Sequence, residues 1–239
     1  TITHTSAQEF EIKMNSSTDN TSGRFSANIV LLSPRRYSGM VFRNFFRLCP
    51  KACFTIFENR SQSLEAVTKL MEYIGEDPNR EGLLETPERV IKAYDFLFSG
   101  YKHKVEDVIK TFDSDGYNQM VLLKDIEMYS FCEHHMLPFF GKVHVAYIPN
   151  NRVIGISKLA RVVEIFSKRL QIQERLGEQV TESLMTHLQP KGAACIIEAS
   201  HLCMRMRGVE KQNSVMVTSS LKGIFMTDNA ARDELLKLI

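Results

Sequence analysis

No apolar run in the 239-residue chain approaches the roughly 18 residues that a membrane-spanning helix requires; the nearest is IVLL at 29–32. The cysteines are few and odd in number: Cys49, Cys53, Cys132, Cys195 and Cys203 lack the regular spacing of a secreted disulfide scaffold. A soluble protein of a reducing compartment, the cytoplasm, is expected. A strong excess of one charge is also missing. The net charge is +2, and residues 1–60 hold eight Lys/Arg against four Asp/Glu, while the remainder holds 22 against 24. The slight basicity therefore belongs to the leader, and neither nucleic acid nor membrane is expected as a partner of the folded part.

Sustained periodicity is missing from residues 1 to about 58, and the first half of that stretch is rich in Ser, Thr and Asn (TITHTSAQEF, MNSSTDNTSG). Residues 1–60 are expected to be a disordered leader, or a targeting or regulatory tail. The acid-free basic stretch between Asn20 and Phe57 resembles part of an organelle transit peptide, but acidic Glu9, Glu11 and Asp19 precede it.

What is present, from Ser61 onward, is a globular pattern, and 44% hydrophobic content suffices for a sizeable core. Leu64, Val67, Leu70, Met71 and Ile74 recur at helical spacing up to a stop at Gly75. A second helix is expected with Thr86 as cap, Pro87 in its first turn and Val90, Ile91, Tyr94 and Phe98 as its stripe. These helices define an N-terminal helical subdomain, 61–118. Within 119–239, strands are expected at 119–130 and 141–149, the second continuing as a hairpin into RVIGI. Helices follow at about 157–170 and 173–188, then strands in GAACIIEASHLCMRMR and SVMVTSSL, and a short helix near 229–238. This order predicts an α+β domain whose antiparallel sheet carries paired helices on one face.

The segment FCEHHMLPFF concentrates chemistry. Cys132 and His135 are three apart, so one tight turn can aim both the same way. If SHLCMRMR is a strand, His201 and Cys203 share a face. Cys132, His135 and Cys203 would then give zinc a Cys₂His set with the fourth position open to water, which is the catalytic pattern. His134 and His201 flank that set, and histidine as a side-chain type ordinarily titrates near neutrality, which suits proton delivery and removal. Taken singly, each His or Cys is more often structural, and Cys195 in AACIIEA reads as core.

In VIGISKLAR, Ser157 is placed to cap a helix, while Lys158 at the first helical position and Arg161 one turn on oppose the helix dipole. A phosphate there would relieve the conflict; a solvated basic face is the alternative. Arg205 and Arg207 would share the strand face of Cys203 and favour an anionic substrate. Gln173 and Glu174, opening the next helix, could read a base edge through paired N–H donors.

From about Leu64 to Ile239 the chain resembles GTP cyclohydrolase I, through ETPERV, FCEHHMLPFFGKV, YIPN, VIGISKLARVVEIFSKRLQIQERL and HLCMRMRGV, with SKRLQIQERL more like the eukaryotic form. The resemblance implies a zinc enzyme, with one ion per subunit, that converts GTP to 7,8-dihydroneopterin triphosphate and formate at the entry to folate or tetrahydrobiopterin. It implies the tunnelling fold and a homodecamer with active sites between subunits. Zinc ligands fall on Cys132, His135 and Cys203, catalytic histidines on His134 and His201, and guanine contacts on Gln173 and Glu174. Triphosphate contacts fall on Ser157, Lys158, Arg161 and Arg207, with Arg89 reaching in from a neighbouring subunit. A feedback regulatory protein is a partner that this resemblance allows and the sequence does not decide. A zinc deaminase, the nearest rival, requires HxE followed by PCxxC, and neither occurs.

Overall fold

The computed structural model describes residues 60–239, which form a single unit; the expectations for the leader lie outside the described residues. Helix α1 (Arg60–Tyr73) stops where Gly75 takes a φ of +87°, a left-handed conformation that only glycine adopts freely. Of its apolar stripe only Met71 is buried, whereas Leu70 is 62% exposed. Helix α2 (Thr86–Leu97) begins at the expected cap itself: Glu85, one residue earlier, occupies the cap position, and Thr86 and Pro87 lie in the first turn. Proline suits this place because its missing N–H has no intrahelical partner to lose. Arg60 ties the two helices together by donating to Glu88 and Asp95.

Strand β1 (Thr111–Asp113) precedes the long β2 (Val121–Cys132) and β3 (Pro138–Ile148). The next strand, β4 (Arg152–Ile154), does not extend a hairpin with β3 as expected; it pairs with β1 in a separate two-stranded sheet. The reason is local. Arg152 donates to the Thr111 hydroxyl and carbonyl, and the Ile154 amide donates to the Tyr147 hydroxyl, so the chain turns onto the side of the main sheet.

Helix α3 (Ile156–Ser167), short β5 (Leu170–Gln171) and helix α4 (Gln173–His187) lead to β6 (Gly192–His201), a helical turn α5 (Leu202–Arg205) and β7 (Met216–Gly223). The chain ends in turn α6 (Ile224–Thr227) and helix α7 (Asn229–Leu238), which Asp228 caps by accepting from the Ala230 amide. The main sheet has the order β5-β2-β3-β6-β7, antiparallel except for β5 against β2.

Alternation along β3 and β6 divides the faces. Val143, Val145, Tyr147, Cys195 and Ile197 meet Leu159, Val162, Leu176, Val180 and Leu184 from α3 and α4. Burial in this layer pushes the Cys195 thiol far up, so that residue is core, as expected. The short C-terminal helices pack on the opposite face, where Phe225 and Leu235 cover Ala146, Ala194 and Ile196. Two glycines allow close approaches. A Cβ on Gly141 would fall 1.9 Å from the Glu198 carbonyl across the β3–β6 pair, and one on Gly100 would fall 2.2 Å from the Ile165 carbonyl at the end of α3.

The sheet has two ends that matter for chemistry. At one, β2 finishes at Cys132, β3 starts at Pro138 and β6 finishes at His201. At the other, β3 ends at Ile148 opposite Gly192, roughly 35 Å away for eleven extended residues. Helix α3 starts at this far end, its Gly155 amide bonded to the Lys110 carbonyl, and runs back to β5 beside Cys132.

Candidate active site

The turn after β2 is closed by its own backbone. The Cys132 amide donates to the Leu137 carbonyl, and the His135 and Met136 amides donate back to the Cys132 carbonyl, with Met136 in the left-handed region at φ +53°. This winding brings Cys132 Sγ within 3.6 Å of His135 Nδ1. The third expected ligand arrives by a different route from the one its spacing suggested. Strand β6 stops at His201, and Cys203 stands on the helical turn α5, not on the strand face that His201 occupies. Ladder partners run out there: the pairing with β3 stops at Phe139 opposite His201 and that with β7 at Met216 opposite Ala199, so the unpaired chain satisfies itself with the Met206 amide to Leu202 carbonyl bond. Arg205 and Arg207 accordingly do not share a strand face with Cys203. Arg205 donates to the Ser214 carbonyl, while the positive charge of Arg207 lies near enough to favour the Cys203 thiolate, against the larger upward push of burial and of Cys132.

Cys132, His135 and Cys203 present their ligating atoms within 4.8 Å of one another. Zinc bonds of about 2.3 Å to sulfur and 2.0–2.1 Å to nitrogen in a tetrahedron put such donors about 3.5–3.8 Å apart. The Cys132–His135 separation already has that value, and the soft thiolates and imidazole suit the ion. The three residues fit a zinc site with one position open.

Two histidines flank it. His134 is exposed, 3.8 Å from Cys132 Sγ and 4.0 Å from the Glu133 carboxylate. His201 is half-buried, its ring parallel to Phe139 at 4.5 Å between centroids. Its Nε2 lies 2.8 Å from Gln173 Oε1. Burial pushes its pKa below the ordinary imidazole value, and the Glu174 charge opposes that shift. Beside the ring, a cavity of about 320 Å³ is lined by Ala199, Cys203, Met204 and Met216 among others.

Three contacts escaped the sequence reading. Glu133, which had no assigned role, takes a two-pronged bond from Arg175 of α4, and its amide donates to the Gln171 carbonyl. Phe139 underlies His201. The Gln173 side chain points inward, a fact the helix phase does encode: Gln173, Leu176, Gly177 and Val180 follow i, i+3, i+4, i+7, and all are buried. The Glu133–Arg175 pair has no comparable local signal.

The anion-binding candidates are distributed differently. Helix α3 starts at Ile156 with Gly155 in the cap position, so Ser157 is not the cap and Lys158 is the third helical residue. The β-region backbone that a cap needs falls on Gly155, at φ −60° and ψ 133°. No acidic residue offsets the dipole in that first turn. Ser157 and Lys158 nevertheless stand at the far end of the sheet, with the helix start facing away from the metal turn. Arg161, one turn on, lines a shallow cavity with Gly100, His103 and Glu164. Arg89, on α2, pairs with Glu85 at 2.5 Å. One chain therefore brings together Cys132, His134, His135, His201, Cys203, Gln173 and Glu174, and does not bring Ser157 and Lys158 to them.

The model of the family described as GTP cyclohydrolase I matches residues 63–239. The chain belongs to the GTP cyclohydrolase I family. Proteins named GTP cyclohydrolase 1 match it from Chlorobium chlorochromatii, at 55% identity over 73% of this chain and 78% of that one, and from Leptospira biflexa, at 55% over 72% and 95%. Another, from Chlorobaculum tepidum, is 51% identical over 78% of this chain and 86% of its own. All three are bacterial; the eukaryotic likeness of SKRLQIQERL rests on that segment alone. A solved structure, the archaeosine synthase QueF-Like in the apo form, has 18% identity and a TM-score of 0.37 over 44% of this chain and 93% of its own, too slight a likeness to argue from. Membership in the GTP cyclohydrolase I family makes the chain an enzyme with GTP cyclohydrolase activity in pterin biosynthesis, built on the tunnelling fold.

Proposed function

We propose that this enzyme converts GTP to 7,8-dihydroneopterin triphosphate with release of formate, and that it depends on one zinc ion per subunit held by Cys132, His135 and Cys203. The convergence of those three ligating atoms within 4.8 Å, flanked by His134 and His201, carries the reading. Zinc held there would supply Lewis-acid activation of water, the chemistry that hydrolysis at carbon 8 of the base calls for.

The protein's own groups do the rest. The guanine edge is read at the start of α4, where the Glu174 carboxylate accepts from ring and exocyclic N–H groups. The Gln173 main-chain N–H, one of the first four amides of the helix, has no intrahelical partner and is available to an acceptor on the base. His201 and His134 hold and move the protons that opening the imidazole ring of guanine and expelling formate require. Arg207, near Cys203, meets the triphosphate, together with Ser157, Lys158 and Arg161 at the start of α3 and with Arg89.

The start of α3 faces away from the metal turn of its own chain, and the helix between them is about 18 Å long. An anion seated at that start is out of reach of a GTP whose base lies at Cys132. We therefore assign each active site to more than one copy of the chain, in a homo-oligomer for which a decamer is the proposed form, with β7 and the stretch of β2 that the two-residue β5 leaves unpaired as docking strands. Among the described residues no helix is long and apolar enough to cross a membrane, and we place the enzyme in the cytoplasm. A feedback regulatory protein as partner, an organelle address in residues 1–60, and the division of the described residues into a helical subdomain at 61–118 and a catalytic domain at 119–239 belong to the same proposal.

The test is incubation of zinc-loaded protein with GTP. A pterin that becomes fluorescent on oxidation and an equal amount of formate are expected; a zinc-loaded oligomer that releases neither overturns the assignment.

A further inference from the structure

The Gln173 side chain is 1% exposed, although it sits at the first position of α4 beside a catalytic candidate. Its amide nitrogen lies 2.9 Å from the Ile197 carbonyl, 3.0 Å from the Met216 carbonyl and 3.1 Å from the Thr218 hydroxyl. The two carbonyls can only accept, so the NH₂ group must face them and the amide cannot be turned over. Oε1 therefore faces His201 Nε2 at 2.8 Å, and an amide oxygen can only accept. It follows that His201 Nε2 carries the hydrogen, and that in the neutral ring Nδ1 is the bare nitrogen. Phe139, parallel to the imidazole within 2°, holds the ring plane in the same setting.

We propose that Gln173 is a positioning residue: through Ile197, Met216 and Thr218 it fixes both the plane and the tautomer of His201, so that Nδ1 is the nitrogen available to the reaction. This rests on the role proposed above for His201 in proton transfer. The buried side chain does not itself read guanine; its part in base recognition is confined to the main-chain N–H. The chain of bonds also joins the site to both strands behind it, because Ile197 is on β6 and Met216 and Thr218 are on β7.

The experiment compares full-length zinc-loaded protein with Gln173→Met and Gln173→Glu, using ¹⁵N NMR of labelled histidine, with His201 assigned by its loss in His201→Ala, alongside kcat and KM for GTP. Unaltered protein is expected to show His201 as a single tautomer protonated at Nε2. Gln173→Met should show mixed tautomers, with kcat down about 10- to 100-fold and KM within about 2-fold, the usual scale for losing an orienting partner. Gln173→Glu turns an acceptor-only oxygen on the Ile197 and Met216 carbonyls, so it should lose kcat as well, and wild-type kcat in it overturns the proposal. A single Nε2-protonated tautomer in Gln173→Met overturns the proposal. So does a raised KM at undiminished kcat, which would make the side chain a base contact. Should Gln173→Met not assemble, the unaltered protein decides: His201 protonated at Nδ1, or a mixture of tautomers, overturns the proposal equally. The NMR result is independent of turnover, so a protein without cyclohydrolase activity would sink the proposed reaction and leave the tautomer assignment to be judged separately.

Discussion

Arg175 holds the Glu133 carboxylate with both terminal nitrogens, at 2.5 and 2.9 Å, across 42 residues of chain. The pair joins the Cys132–His135 turn to the first turn of α4, so the proposed metal ligands and the residues that would read the base share one splint. Arg175 keeps the Glu133 carboxyl below the usual carboxylate range, against the weaker effect of burial. Two parallel bonds fix orientation in a way that a lysine, as a point charge, does not. Arg175→Lys is expected to keep the fold and lower kcat/KM about 10-fold, with a similar loss in zinc affinity by competition with a chelator.

Ligand and proton carrier should separate by mutation. Cys203→Ala is expected to lose bound zinc and activity together, because two protein ligands hold the ion poorly. His201→Ala should retain one zinc per chain and lose about 10²- to 10⁴-fold in kcat. Metal analysis of the two purified variants checks this; zinc lost from His201→Ala would make that residue a ligand.

Lys158 and Cys203 should complement each other between copies. Neither Lys158→Ala nor Cys203→Ala should be active alone. Dissociated, mixed in equal amounts and reassembled, they should recover about a quarter of the wild-type sites if each site draws the two residues from different copies. No recovery in a properly assembled mixture would place both residues in one chain's site.

Acid should weaken the polar contact between α4 and β7. Glu178 accepts from Lys222 and, at 2.7 Å, from the Ser220 hydroxyl. Lys222 first and Ser220 second hold its carboxyl below the usual carboxylate range. A depressed carboxyl stabilises the fold above its unfolded-state pKa, and that contribution is lost as pH falls through the folded value. Glu178→Gln is expected to cost about 1 kcal/mol or less at pH 7, given the partial exposure. The difference should vanish in strong acid, as denaturant midpoints across pH would show.

Much of the site could be read from residue types and spacing, though not always for the right reason. Cys132 and His135 were visible because their geometry is local to one turn. Strand periodicity singles out Cys203, yet what aims it at the turn is the loss of ladder partners beyond His201, a property of where β3 and β7 begin. The same cause undid the strand placement of Arg205 and Arg207. Gly155 displaced Ser157 as cap because backbone conformation, not side-chain chemistry, set the first helical residue. The β1–β4 pair and the Glu133–Arg175 splint join segments about 40 residues apart, and only tertiary structure brings these together. The helix pair, the sheet and its buried alternation were legible because period 2 and period 3.6 are written residue by residue.

The direction of α3 also bears on how copies can be arranged. If sites are shared between copies as proposed above, a subunit with its Cys132–His135 turn at one end and its basic helix start at the other behaves like a link with a hook and an eye. In an open row, one hook and one eye stay idle at the two ends, whatever the length. Only closure into a ring lets every half meet its counterpart, so the number of working sites equals the number of chains, and a row even one subunit short of closure still leaves a half-site unused at each end.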